Sequence, residues 1–251
     1  MGVERPLIVA PRDAAIQQHV NRFLEAHEKE PLATVATNIF PASEYLHGGS
    51  GEVYNDFAEV LDKIRGRWDG YAARMLSRSI ERNDGSKVSP LERMIEKMKR
   101  QADKAGPMRS VYDISTDDPD DPLTDIAIYH ADQDAGAIHP PCLMHLSFKL
   151  VKKQVYLTVL YRTHFFIEKV LGNLLGLAQL QSFVADQIGE GYEPGPLVCH
   201  STYAVFDSGT QHRKTDNKLV GWTDKEARAL VAECLAIAAP VHDSSTAHAT
   251  A

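Results

Sequence analysis

A chain of 251 residues with 27 basic and 34 acidic side chains carries a formal charge of -7. It is long enough to bury a substantial core, but it has no long-range attraction for nucleic acid or for an anionic membrane surface. An anionic ligand must therefore be met by local arginines, and the three widely spaced cysteines, Cys142, Cys199 and Cys234, argue against a zinc ribbon or a disulfide framework.

That cysteine usage fits a reducing, cytoplasmic compartment. The richest apolar stretch, 165–188, is interrupted by Glu168, Lys169, Asn173 and Asp186, so it reads as a buried helix rather than a membrane span. The clear polar breaks, NDGSK and STDDPDD, are only loop-sized. A single domain over 1–251 is expected, with a flexible tail at 243–251.

In chain order, residues 13–30 place Ile16, Val20, Phe23 and Leu24 on one side, which predicts a helix ending before Pro31. LATVATNIF, 32–40, alternates like a strand, and PASEYLHGGSG, 41–51, reads as a glycine-bearing connection. Phe57, Val60, Leu61 and Ile64 return to helical spacing. A further helix is predicted over 89–106, where Ser89, Pro90, Glu92 and Gly106 form a cap, first-turn proline and stop set. Strand patterns follow at 109–115, 124–130, 142–150 and 154–162, the last two joined by a hairpin-length turn. A long helix is predicted over 164–188, a turn at YEPGP, a strand over 197–206 and a last helix over 222–239, started by Thr223 and Asp224. The expected fold class is mixed α/β (α+β), a central mixed β-sheet flanked by helices; strict βαβ alternation is absent, which argues against a doubly wound fold.

Alternation puts Cys142 on one face with Met144, Leu146, Phe148 and Leu150, so its thiol is either a core residue or a nucleophile in a pocket wall. Arg162, ending the next strand, suits an anion or a neighbouring thiolate, and equally a surface salt bridge. Asn173 lies among Val170, Leu174 and Leu177; its amide serves either a ligand edge or a buried backbone group. Arg109 and Glu44 both have a plain solvated reading. The glycines of GGSG match neither frame of nucleotide-binding loop. Arg65, Arg67, Arg74 and Arg78, beside Trp68 and Tyr71, read as a solvated face with an aromatic anchor. His139, His145 and His164 lack metal-ligand spacing, and no metal site is assigned.

The order of these pieces resembles the thymidylate synthase superfamily, most strongly over 90–207. Pro141-Cys142 is similar to its nucleophile motif, and Arg162-Thr163 followed by Asn173 is similar to its arginine-serine to asparagine module. The resemblance implies a pyrimidine nucleotide C5 one-carbon transferase, methylating or hydroxymethylating, in which Cys142 adds to C6 of a pyrimidine nucleoside monophosphate. It implies that Arg162, Thr163 and Arg109 contact phosphate, with Arg109 supplied across a homodimer. Asn173 would read the base edge, with uracil favoured. Tyr203 and Ser201 would stand at the sugar, Glu44 would organise proton transfer, and 5,10-methylenetetrahydrofolate would donate the carbon. Departures from the family pattern are Leu143 where histidine follows the nucleophile, Met108 in the arginine pair, Phe165 in place of aspartate, Lys169 in place of glycine and Ser201 in place of histidine. These departures keep a second reading open, a non-catalytic nucleotide-binding or regulatory protein that retains the pocket.

Overall fold

The computed structural model describes residues 11–56, 71–76, 80–102, 104, 106, 108, 112–115, 142–209, 211–212 and 219–239. The chain divides into two compact units, Leu32–Asp207 and a second made of Met1–Pro31 with Ser208–Ala251. Among the described residues no helix is long and apolar enough to cross a membrane. Nor does any group of three His, Cys, Asp or Glu side chains there qualify as a metal site.

The larger unit contains α2 (Leu32–Thr37), α3 (Ala42–Gly51), a π-helical turn (Glu52–Asp56), α4 (Tyr71–Leu76), the short strands β1 (Ile80–Glu81) and β2 (Lys87–Val88), and α5 (Pro90–Ala102). The four-stranded sheet and its crossover helix follow: β3 (Tyr112–Ser115), β4 (Leu143–Val151), β5 (Gln154–Phe165), α6 (Val170–Ile188) and β6 (Glu193–Val205). In the other unit α1 (Pro11–Ala26) packs on α7 (Asp224–Ala238), and β7 (Gln211–His212) and β8 (Leu219–Val220) pair as a two-stranded ribbon.

The sheet order is β3-β4-β5-β6; the first two pairings are antiparallel and β5 pairs with β6 in parallel. The parallel pair requires a crossover, and α6 supplies it, packing over β5 and β6. The fold is therefore a mixed central sheet flanked by helices, as the sequence predicts. Its core is Tyr112, Ile114, Leu146, Phe148, Leu150, Val155, Leu157 and Val159 from the strands, with Leu177, Leu180, Phe183 and Val184 from α6. Each such side chain contributes roughly 1.5–3 kcal/mol when fully buried. The α5 cap forms as expected, Glu92 N–H donating to Ser89 Oγ at 3.1 Å. In the smaller unit, Thr223 and Glu226 make a reciprocal capping box at the start of α7.

Four local expectations are corrected. LATVATNIF is not a strand: Leu32, Val35, Ala36 and Ile39 are all buried at helical spacing, and α2 lies against α6 at Gly172 and Gly176. A Cβ on Gly176 would stand 2.6 Å from the Ala36 carbonyl oxygen, so this approach of one backbone to another needs glycine. The PASEYLHGGSG segment is helical until Gly49, whose φ of 70° interrupts α3. β5 continues to Phe165, so the helix predicted from 164 begins only at Val170. Between them Asp207 receives the Ile167 and Glu168 N–H groups at 2.8 and 3.3 Å. Finally, the YEPGP segment enters the sheet from Glu193 as the start of β6, an edge strand among the described residues, where Pro194 and Pro196 are tolerated. The predicted strand at 124–130, the helix residues 57–68 and the tail at 243–251 lie outside the described residues.

Candidate active site

The site begins at an irregularity in β4. Leu143 pairs with Tyr161, but His145 pairs with Leu160, so Met144 is an extra residue, a bulge. Leu143 is fully buried and takes the core-facing place that simple alternation gives to Cys142. The expectation that Cys142 shares the face of Leu146 and Phe148 is therefore corrected: the bulge shifts the parity, and Cys142 stands one residue before the strand, half-buried.

Three backbone bonds hold it there. Arg162 N–H donates to the Cys142 carbonyl at 2.7 Å, placing the two residues opposite one another. The Cys142 and Leu143 N–H groups both donate to the Tyr71 hydroxyl, at 3.2 and 3.3 Å. Burial pushes the Tyr71 hydroxyl up to about 12, so it stays protonated and has its own proton to give. Burial also pushes the Cys142 thiol up; the Arg162 charge, a hydrogen bond from the Thr163 backbone and one from Tyr71 act in the opposite direction. The groups that favour a thiolate are thus assembled around a sulfur that desolvation keeps protonated.

One residue beyond Thr163 lies a second cluster. His164 is 2% exposed, and its Nε2 accepts from Asn173 Nδ2 at 2.9 Å. Its Nδ1 lies 3.0 Å from Ser201 Oγ and 4.0 Å from Cys199 Sγ. The imidazole stacks on Tyr161, centroids 4.1 Å apart and planes within 7°. Burial lowers the His164 pKa, which keeps the ring neutral near pH 7. The Tyr161 hydroxyl is buried without a hydrogen-bond partner among the described residues, and burial raises its pKa above the usual tyrosine range.

The structure therefore brings Cys142, Arg162 and Thr163 together, and joins Asn173 to Ser201 through His164. Tyr203 pairs with Thr163 across β5 and β6, but its side chain is 64% exposed. Glu44 stands in the first turn of α3, where Ser43 Oγ donates to it at 2.6 Å. Arg109 lies outside the described residues. Sequence reasoning placed Tyr71 only as an aromatic anchor on a solvated face, whereas its hydroxyl meets the Cys142 and Leu143 N–H groups; it did not single out Tyr161, and it considered His164 only as a metal ligand. A histidine directly after the arginine-threonine pair and nine residues before a buried asparagine was the available signal.

No protein-family profile matches the chain. The fold class is a mixed sheet flanked by helices, and sequence comparison links part of it weakly to thymidylate synthases. Over 68 residues the chain is 38% identical to proteins described as putative thymidylate synthases from Methanosarcina barkeri, Methanosarcina mazei and Methanococcoides burtonii. The match spans 27% of this chain and 30% of the length of each relative. Among solved structures, the thermostable thymidylate synthase A of Bacillus subtilis is 19% identical with a TM-score of 0.36, covering 57% of this chain and 47% of that one. The thymidylate synthase of T4 phage is 18% identical with a TM-score of 0.39, covering 68% and 56%.

Proposed function

We propose that this protein is a pyrimidine nucleotide C5 one-carbon transferase, methylating or hydroxymethylating, that works through a covalent Cys142 adduct. The observation that carries this reading is the placement of Cys142 against Arg162, the Thr163 N–H and the Tyr71 hydroxyl at the β4 bulge. C5 of a pyrimidine is a poor nucleophile. Addition of the Cys142 thiolate to C6 moves an electron pair onto the ring, and the resulting enolate is nucleophilic at C5. Loss of the C5 proton after substitution and expulsion of the thiolate from C6 restore the ring and the enzyme.

Arg162 has two uses in this reading. Its charge favours the thiolate, and its guanidinium suits the nucleotide phosphate together with Thr163 and, from a partner copy, Arg109. Asn173 reads the base edge, with uracil favoured, while Ser201 and Tyr203 stand toward the sugar.

The one-carbon donor in this reading is 5,10-methylenetetrahydrofolate, which would also supply the hydride that a methyl product needs, whereas water would take the hydride's place in a hydroxymethyl product. The described residues do not assemble a recognisable folate cradle, and Glu44, the folate-side carboxylate of the proposal, is hydrogen-bonded to Ser43. The protein is proposed to act as a cytoplasmic homodimer. The upward pull of burial on Cys142 favours the second reading, a nucleotide-binding protein without chemistry.

Intact-protein mass spectrometry separates the two. Wild type and C142A are incubated with 5-fluoro-UMP, 5-fluoro-dUMP and their cytosine counterparts, with and without methylenetetrahydrofolate. Fluorine at C5 blocks proton loss, so an adduct persists. A nucleotide mass on wild type and none on C142A supports the transferase. Binding of nucleotide with no adduct on wild type would refute it in favour of the second reading.

A further inference from the structure

The Asn173 amide is shared between two demands. Its Nδ2 donates to His164 Nε2, and a neutral imidazole has one donor and one acceptor nitrogen. With Nε2 accepting, the ring proton sits on Nδ1 and is donated to Ser201 Oγ. The Ser201 hydroxyl is then free to donate onward to Cys199, whose thiol it contacts. Every member of the row Asn173, His164, Ser201, Cys199 gives or receives in one direction.

The opposite tautomer reverses the row. Ser201 then donates to Nδ1, Nε2–H donates to the amide oxygen, and the Asn173 amide is turned over. In either arrangement the amide keeps one oxygen lone pair and one N–H, side by side, for a ligand. What changes is which of the two lies on the His164 side. Uracil presents O4 as an acceptor beside N3–H as a donor; cytosine presents an amine donor beside N3 as an acceptor. The two bases therefore require the two opposite orientations of the same amide.

We propose that His164 is the positioning residue that sets base choice at this site, by holding the Asn173 amide in one of its two orientations. This rests on the reading that Asn173 faces a pyrimidine edge. His164 is suited to the task because three elements immobilise it: the end of β5 on which it stands, Asn173 in α6 and Ser201 in β6. Tyr161 stacking fixes the ring plane, and Phe166 closes its edge with centroids 6.1 Å apart. A ring so enclosed cannot swing away when the amide is challenged by the wrong base.

The test compares uracil and cytosine nucleotides of the same sugar and phosphate, so that contacts to those parts cancel. Dissociation constants for UMP and CMP, and adduct yields for their 5-fluoro analogues, are measured on wild type, H164F and S201A. Phenylalanine keeps a flat ring against Tyr161 but neither donates nor accepts; alanine at 201 removes the partner that fixes the tautomer. A wild-type preference of about 10-fold to 100-fold for one base is expected, the scale of a good bidentate contact. In H164F it should fall to roughly 3-fold or less, and in S201A it should fall by several-fold, as the amide orientations approach equal energy. An unchanged ratio in both variants overturns the proposal; if H164F does not fold, S201A alone decides. Absence of any adduct on wild type defeats the covalent reading but leaves the ratio of dissociation constants to judge His164. Absence of binding to either nucleotide overturns both.

Discussion

Gln181 and Asn173 stand eight residues apart on α6, both buried, and their amides are used in opposite ways. Gln181 Nε2 lies 2.7 Å from the carbonyl of Val155, 3.0 Å from that of Gly195 and 3.3 Å from that of Pro196. The pairing of β5 with β6 slips by one residue between Val155 and Leu157, and Gln181 serves carbonyls at that slip. Asn173 donates to a side chain, His164, which itself has two tautomers. An amide spent on backbone is fixed by the fold; one spent on an imidazole has an orientation that the imidazole decides. The same helix thus carries a structural amide at its sheet-bound middle and an adjustable one at its start.

The largest expected effect breaks both at once. G176V would push a side chain into the Ala36 carbonyl and lift α6 from α2, costing about 3 kcal/mol or more. Urea unfolding should show the loss, and base discrimination should fall with it. Q181A leaves buried carbonyls unsatisfied and should cost about 2 kcal/mol while leaving the UMP to CMP ratio unchanged. A change in that ratio would show that the two amides are not independent. N173D sharpens the other side: it should cost about 1 kcal/mol in stability and move base preference toward cytosine, because the carboxylate only accepts. Unaltered selectivity in equilibrium binding would remove Asn173 from base recognition.

The smallest effect concerns the thiol. Alkylation requires the thiolate, and burial raises the Cys142 pKa, so the rate should rise with pH through a midpoint on the alkaline side of a free cysteine. R162A, which removes an opposing charge, should move that midpoint further up and slow alkylation at pH 7.5. A profile unmoved by R162A would show that the guanidinium exerts no field on the sulfur.

Much of this architecture was legible in the sequence because α5, β4, β5 and α7 carry their own signals, alternation or caps. α2 was hidden because Thr34, Val35, Thr37 and Ile39 favour a strand locally, while the contact that makes the segment a helix comes from Gly172 and Gly176, more than 130 residues later. The bulge at Met144 was hidden for a different reason: period-two counting contains no term for an inserted residue. The adjacency of Cys142 and Arg162 follows from two strands and a short turn, so it could be read. Tyr71 could not, since α4 brings it to the bulge, and His164 could be read only as a position beside the Arg162-Thr163 pair, since its partners are brought in by α6 and β6.

The close seating of α2 on α6 has a mechanical consequence. Side chains can yield to a displaced neighbour by changing rotamer, but at Gly176 the contact surface is main chain on one side and bare Cα on the other. α6 behaves like a shaft keyed to its housing: it can neither roll nor slide by a fraction of a turn without the key leaving its slot. Accommodation of a ligand at the Asn173 end should therefore pass into hydroxyl rotors, amide flips and proton positions. Exchange of the amide hydrogens in the middle of α6 should be as slow with nucleotide as without it.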